Sequence, residues 1–249
     1  MRLAVLVLLL CAGPAVAALG EPAPAPLPAR IGTALILAVD VSGSVDAERF
    51  RLQRDGIADA LSDPAVQNVL LSPAAAPLVI TVVTWADRAR IAVPWTPLAT
   101  LDDMRAFALR VGKIDRVGGS FTCVSAMLGF IADRVLASLP SPARHSIVDV
   151  SGDGSENCNP SAPASARRDE LVALGATING LPILEGREAA TIEDWYAQNV
   201  IGGQSAFTIA ARDFGDVGRA MRLKFTTEVS RSRQDDSAVR FADHAAGRP

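Results

Sequence analysis

The stretch Ala34–Ser44, ALILAVDVSGS, decides how the rest of this 249-residue chain is read. From Ala34 to Val39 it is wholly apolar, and Asp40 is its first polar residue. A run this short and continuous suits a parallel strand buried on both faces. It gives way to Asp40, Ser42, Gly43 and Ser44, and a helical pattern starts near Asp46. Asp40, Ser42 and Ser44 therefore sit on a strand-to-helix turn, at the carboxyl end of a strand, where open α/β sheets bind ligands. One carboxylate and two hydroxyls converging on one point make an all-oxygen site, which suits a hard divalent cation such as magnesium. The competing reading is a polar loop that only caps the helix, because Ser and Asp favour such caps.

Working outward, Met1–Ala17 reads as a secretory signal. Arg2 is its positive start, Leu3–Ala12 its apolar stretch, and Ala15-Val16-Ala17 a small-x-small cleavage site. The apolar stretch is too short to span a bilayer, and Cys11 belongs to the discarded signal. The mature chain is therefore expected to be exported to the periplasm or secreted, with no transmembrane segment. Pro22, Pro24, Pro26 and Pro28 make residues 18–30 an extended spacer. One domain is expected over 31–229, followed by a mobile polar tail over 230–249, where periodicity is lost. Hydrophobic content of 49% is ample for a core. A net charge of −3 with no Lys/Arg run excludes an electrostatic nucleic-acid binder.

Five further β-rich runs follow the first, at Leu78–Trp85, Arg90–Trp95, Ser146–Gly152, Ala176–Leu184 and Ser205–Ala211. Helical spacing appears near Asp46–Leu61, Leu101–Val111, Thr122–Leu139, Ala164–Leu174, Ile192–Asn199 and from Asp213 to Val229. Asp63-Pro64 ends the first helix. The second and third strands are close enough to pair antiparallel, and Pro94 puts the third at an edge. The pattern predicts an α/β fold: a Rossmann-like, doubly wound, mostly parallel six-stranded sheet, with helices on both faces and one antiparallel edge strand.

In such a sheet the first strand is central and the fourth lies beside it across the switch point. The loop after the fourth strand, in VDVSGDGSEN, brings Asp153 beside Asp40. Its alternative role is a tight turn, which Asp and Gly favour. A glycine-rich loop, Val117-Gly118-Gly119-Ser120-Phe121-Thr122, enters the long helix. Its hydroxyls, on Thr122 and Ser120, are candidates for a cap or a ligand.

Asp40-Val41-Ser42-Gly43-Ser44, the glycine-rich loop ending in Thr122, and Asp153-Gly154 occur in the order found in von Willebrand factor A domains, whose metal-ion-dependent adhesion site begins Asp-x-Ser-x-Ser. The chain more closely resembles an exported bacterial group of these domains, the domain-of-unknown-function 1194 family. The matching stretches are AVDVSGSVDAERFRLQRDGIADAL, VPWTPL, VDVSGDG, INGLPIL, NVIGG and ARDF, spread over about 34–229. The resemblance implies a Rossmann-like fold and an adhesion-type site. In that site Ser42, Ser44 and a loop threonine bind magnesium directly, Asp40 and Asp153 act partly through water, and an acidic side chain of a protein partner completes the shell. Manganese or calcium would suit the same oxygens. The family usually has a threonine straight after its loop glycine, where this chain has Ser120. The downstream TCVSAML fits the family's Thr-x-Ile-Gly-x-Ala-Leu pattern with Thr122 as the ligand and Ser120 as second choice.

After signal removal two cysteines remain, Cys123 beside Thr122 and Cys158 shortly after Asp153. If both loops line the metal site, these thiols are neighbours, and an oxidising compartment favours a disulfide. A Cys/His metal site would need more soft ligands. Of two histidines, His244 lies in the tail and His145 at the far end of the fourth strand. Asp149, inside an apolar strand, must be paired and is read as structural, and Trp85 and Trp95 as core or rim. The leading functional expectation is a non-enzymatic binding module that presents one open metal position to a carboxylate on a protein. The alternatives are a metal-assisted hydrolase, for which Glu156 is the one extra acid available as base, and a structural domain without metal.

Overall fold

The computed structural model describes residues 25–72, 77–159, 161–228 and 231. The expected signal at 1–17, the first part of the Pro-rich spacer and, apart from Arg231, the expected tail at 230–249 lie outside the described residues. The apolar run that opens the domain is β1 (Thr33–Asp40), buried from Ala34 onward. β2 (Leu78–Trp85) is buried along its whole length. β3 (Ala89–Leu98), β4 (His145–Gly152) and β5 (Ala176–Pro182) complete one sheet in the order β3-β2-β1-β4-β5. β1 is central and runs parallel to β2 and β4, β4 runs parallel to β5, and β3 runs antiparallel to β2 at the edge. β3 carries Pro94 and Pro97, which an edge strand tolerates because one of its sides makes no ladder.

The sixth strand expected over Ser205–Ala211 is not formed, and the sheet has five strands. The segment does run along the outer edge of β5. Gly180 N donates to Phe207 O at 3.0 Å, Ile209 N to Gly180 O at 3.1 Å and Ala211 N to Pro182 O at 3.0 Å. The donor that would join these bonds into a ladder is residue 182, a proline without an N–H. What remains is two isolated parallel bridges, Gly180 to Thr208 and Ile183 to Ala211.

Because side chains alternate along a strand, β1 feeds two cores. Leu35, Leu37 and Val39 meet α1 (Ala47–Ser62), α2 (Pro64–Leu70), α3 (Leu101–Val111) and the final helix α7 (217–228). Ala34, Ile36 and Ala38 meet α4 (Val124–Phe130), α5 (Ala164–Ala173) and α6 (Ile192–Asn199). Asp63-Pro64 does end α1, and it also starts α2: Asp63 accepts from Ala65 N and Pro64 takes the first helical position, where its missing N–H costs nothing. The long helix expected over 122–139 is α4, extended by a π turn at Ile131–Val135 and a 3-10 turn at Leu136–Ser138. Leu27, within the expected spacer, packs against the α4–α6 core.

Asp149 in the middle of β4 is paired, as its burial demands. Lys224 Nζ of α7 lies 3.0 Å from its Oδ1 and 3.4 Å from Glu228 Oε1, and Lys224 is fully buried. Asn179 Nδ2 donates to Glu228 Oε1 at 3.1 Å. Burial, and then the charge of Asp149, hold the Glu228 carboxyl well above the usual carboxylate range. Trp85 and Trp95 are core residues.

Candidate metal centre

β1 and β4 are in parallel register, with Val39 opposite Ser151. Their carboxyl ends therefore release Asp40 and Asp153 side by side at the switch point. Ser42 N donates to Asp40 Oδ1 at 2.7 Å, which folds the turn back on itself. Ser42 Oγ and Ser44 Oγ stand 3.3 Å apart, and Ser44 Oγ donates to Asp153 Oδ1 at 2.6 Å. These hydroxyls do not cap α1. Its cap is Asp46, whose carboxylate accepts from Arg49 N at 2.9 Å. The capping reading of the serines is thereby removed.

The third loop arrives from the other side. Thr122 is buried, Ser120 exposed, and both line a cleft of about 630 Å³ with Ser44, Asp153 and Glu188. A Cβ at Gly154 would stand 3.3 Å from Thr122 Oγ1, so the Thr122 hydroxyl faces the Asp153–Gly154 loop. Thr122 is not a cap either. The N-cap of α4 is Cys123, which makes no side-chain cap bond, and Glu156 from the β4–α5 loop accepts from Ser125 N at 2.7 Å instead. The other Glu156 oxygen accepts from Cys158 N and Asn159 N. The residue that a hydrolytic reading would use as base is thus committed to backbone amides. Cys123 and Cys158 form a disulfide with Cα atoms 4.9 Å apart, so neither is a thiolate ligand. His145 begins β4, at the end of the sheet away from this cleft.

Electrostatically the two carboxylates are costly to ionise here. Burial pushes the Asp40 carboxyl up to about 7, bonds from Ser42 offset part of this, and the charge of Asp153 adds to it. Burial also raises Asp153, against a bond from Ser44 and the nearby Arg49 guanidinium. Asp40 Oδ2 is buried without a hydrogen-bond partner among the described residues, and so is the Tyr196 hydroxyl. Both crowd the same spot: a Cβ at Gly152 would stand 2.7 Å from Asp40 Oδ2 and 2.9 Å from Tyr196 Oη. A buried carboxylate oxygen that lacks a donor is stabilised by a cation. Among the described residues no group of three or more His, Cys, Asp or Glu is gathered for a metal; the candidate donors are the hydroxyls of Ser42, Ser44 and Thr122 and the carboxylates of Asp40 and Asp153. That set suits a hard divalent ion and not a soft one.

The residues that hold these loops in place were not legible beforehand. Gln53 of α1, fully buried, donates to Asp40 O at 3.1 Å and accepts from Ser151 Oγ at 3.2 Å, joining the ends of β1 and β4. Arg116 donates to the carbonyls of Val45, Val41 and Ser42 and so cradles the Asp40–Ser44 turn. Asp87 Oδ1 accepts from Ser120 N and Phe121 N. Gly43 packs so closely that a Cβ would stand 2.9 Å from Ser120 O. Arg116, Asp87 and Gly43 had only their position on a loop as a signal in the sequence, and Gln53, inside α1, had none; no member of this group belongs to a spaced pattern with the candidate ligands.

Solved structures share this architecture. Proximal thread matrix protein 1 (PTMP1) from the mussel byssus matches with a TM-score of 0.57 and 16% identity, over 81% of this chain and 48% of that one. A von Willebrand factor type A structure from Catenulispora acidiphila matches with a TM-score of 0.56 and 16% identity, over 79% and 42%. PTMP1 with a zinc-occupied MIDAS motif matches with a TM-score of 0.55 and 14% identity, over 82% and 47%. At such identities the likeness is one of fold, and the present chain spans less than half the length of each. No curated protein matches the sequence. Among the described residues no helix is long and apolar enough to cross a membrane. The family described as Protein of unknown function (DUF1194) matches over residues 30–233, and on a von Willebrand factor A fold the chain belongs to that DUF1194 family.

Proposed function

We propose that this protein is an exported binding module that uses a divalent cation to engage an acidic group on a protein partner. Ser42, Ser44 and Thr122 hold the ion through their hydroxyls, Asp40 and Asp153 balance its charge, and Ser120 is the second choice for the loop ligand. Magnesium is the expected ion, with manganese and calcium as substitutes of the same hard character. When bound, the ion supplies a positive charge and one open position for a partner's carboxylate. The observation that carries the reading is the pair of buried carboxylates, one with an orphaned oxygen, facing hydroxyls that serve no helix cap. The printed description of a fold neighbour with a zinc-occupied MIDAS motif supports it. No family of enzymes is among the matches, and Glu156, the acid read from the sequence as a candidate base, is engaged by amides. Export rests on Arg2, the Leu3–Ala12 stretch and Ala15-Val16-Ala17, with the disulfide as a supporting feature.

The test is calorimetric titration of magnesium into chelator-treated protein, followed by affinity capture from envelope extract with magnesium and with chelator. The expected result is saturable binding and a partner retained only with metal. Absence of magnesium, manganese and calcium binding would sink the proposal.

A further inference from the structure

Thr122 is gripped by the very loop that begins with Asp153. Its N–H donates to Asn157 Oδ1 at 2.8 Å, and its carbonyl accepts from Asn157 N at 3.1 Å. Both backbone polar groups of the threonine thus end on one residue. The next residue, Cys123, is bonded covalently to Cys158, the residue after Asn157. Two residues further on, Ser125 N ends on Glu156. Three successive residues, Glu156, Asn157 and Cys158, therefore staple the start of α4, which has no side-chain cap of its own. The disulfide joins positions 35 residues apart, so it adds a covalent tie between the two loops to these hydrogen bonds and to the packing of α4 on α5. Cys123 is fully buried and Cys158 exposed, which leaves one sulfur open to a small thiol.

We propose that Asn157 and the Cys123–Cys158 disulfide are positioning elements of the metal site, so that metal affinity and thiol–disulfide state are coupled. The inference rests on the metal reading above. Two molecules of a small thiol reduce the bond: the first attacks at Cys158 and forms a mixed disulfide, releasing Cys123 as a thiol. The second thiol then releases Cys158 as a thiol and leaves as the small-molecule disulfide. Two electrons pass to the protein sulfurs, and each ends with one proton. With the staple open, the Thr122 hydroxyl loses its fixed distance from Asp153, and the site must reorder its loops when the ion binds. That cost appears as weaker binding. Linkage is reciprocal, so metal must protect the disulfide by the same factor by which the disulfide strengthens metal binding. A disulfide that served stability alone would have no such link to magnesium.

The experiment has two arms. Magnesium affinity is measured by calorimetry on oxidised wild type, Cys158→Ala and Asn157→Ala, each checked for native circular dichroism. The disulfide fraction of wild type and Asp40→Asn is then titrated in glutathione buffers, with and without saturating magnesium. We expect roughly tenfold weaker binding in both staple variants, within the usual range of site-to-site coupling. The same factor moves the wild-type redox midpoint by about 30 mV toward greater resistance to reduction, with no movement in Asp40→Asn. Folded variants that bind magnesium like wild type, together with a midpoint that ignores magnesium, overturn the proposal. If a variant does not fold, the redox arm on wild type decides alone. If oxidised wild type binds no metal, the underlying metal reading has failed, a result distinct from loss of the coupling.

Discussion

Asp40→Asn probes the energetic core of the site, because it removes one charge and keeps the shape. The Asp40 carboxyl is raised from 3.8 to about 7, chiefly by burial. At about 1.4 kcal/mol per pH unit, ionised Asp40 costs the metal-free folded protein roughly 4 kcal/mol. The sign follows from where the proton sits. Below 3.8 the carboxyl is protonated in both folded and unfolded chains and no cost arises. Between 3.8 and about 7 the folded state holds a proton that the unfolded state has lost, so stability declines as pH rises, and above about 7 the loss is complete. Asparagine keeps an acceptor for Ser42 N and carries no charge, although its buried amide gives back about 1–3 kcal/mol. A net gain near ~2 kcal/mol raises Tm by about 4–8 °C in a domain of this size. The assay is thermal unfolding in chelator at about pH 5 and about pH 8. Wild type should lose stability across that interval and the variant should lose less, with the variant ahead at the higher pH. Magnesium at ~100 times its Kd should then stabilise wild type by about 2.7 kcal/mol and the variant not at all. Equal pH slopes in chelator would refute the burial argument, and equal magnesium responses would refute the metal site.

Three other outcomes are expected. Thr122→Val removes one hydroxyl while leaving both Asn157 bonds, and should weaken magnesium binding about tenfold or more, whereas Ser120→Ala should change it little; calorimetry on both decides which residue of the loop is the ligand. Gly152→Ala sets a methyl 2.7 Å from Asp40 Oδ2 and 2.9 Å from Tyr196 Oη; overpacking of this kind should cost about 1–3 kcal/mol in urea unfolding and lower magnesium affinity as well. Lys224→Met leaves Asp149 and Glu228 buried without their cation and should cost about 3–5 kcal/mol, with magnesium affinity in the surviving folded protein unchanged; a cost under about 1 kcal/mol would mean that the buried pair contributes little.

The sequence by itself determined the elements whose signals are local. A continuous apolar run ending in Asp40, an alternation of strands with helices, and Pro94 on a strand are enough to make β1 central, β3 an edge and the sheet mostly parallel. The same locality put Asp40 and Asp153 at carboxyl ends of neighbouring strands, because a doubly wound connection leaves few other arrangements. Only the tertiary structure decided matters that turn on a partner distant in the chain. Ser205–Ala211 has the composition of a strand, yet its ladder is broken by Pro182 on the neighbour it would pair with. Thr122 was legible as a hydroxyl at a helix start, but whether it serves as a cap depends on Glu156, which takes that work from another loop. Gln53, Arg116, Asp87 and Asn157 carry no pattern of their own, since a single polar side chain acquires its role from the backbone groups that folding sets before it. Periodicity reports which face of an element is buried; it carries no record of which buried oxygen folding leaves without a donor among the described residues, as it does Asp40 Oδ2.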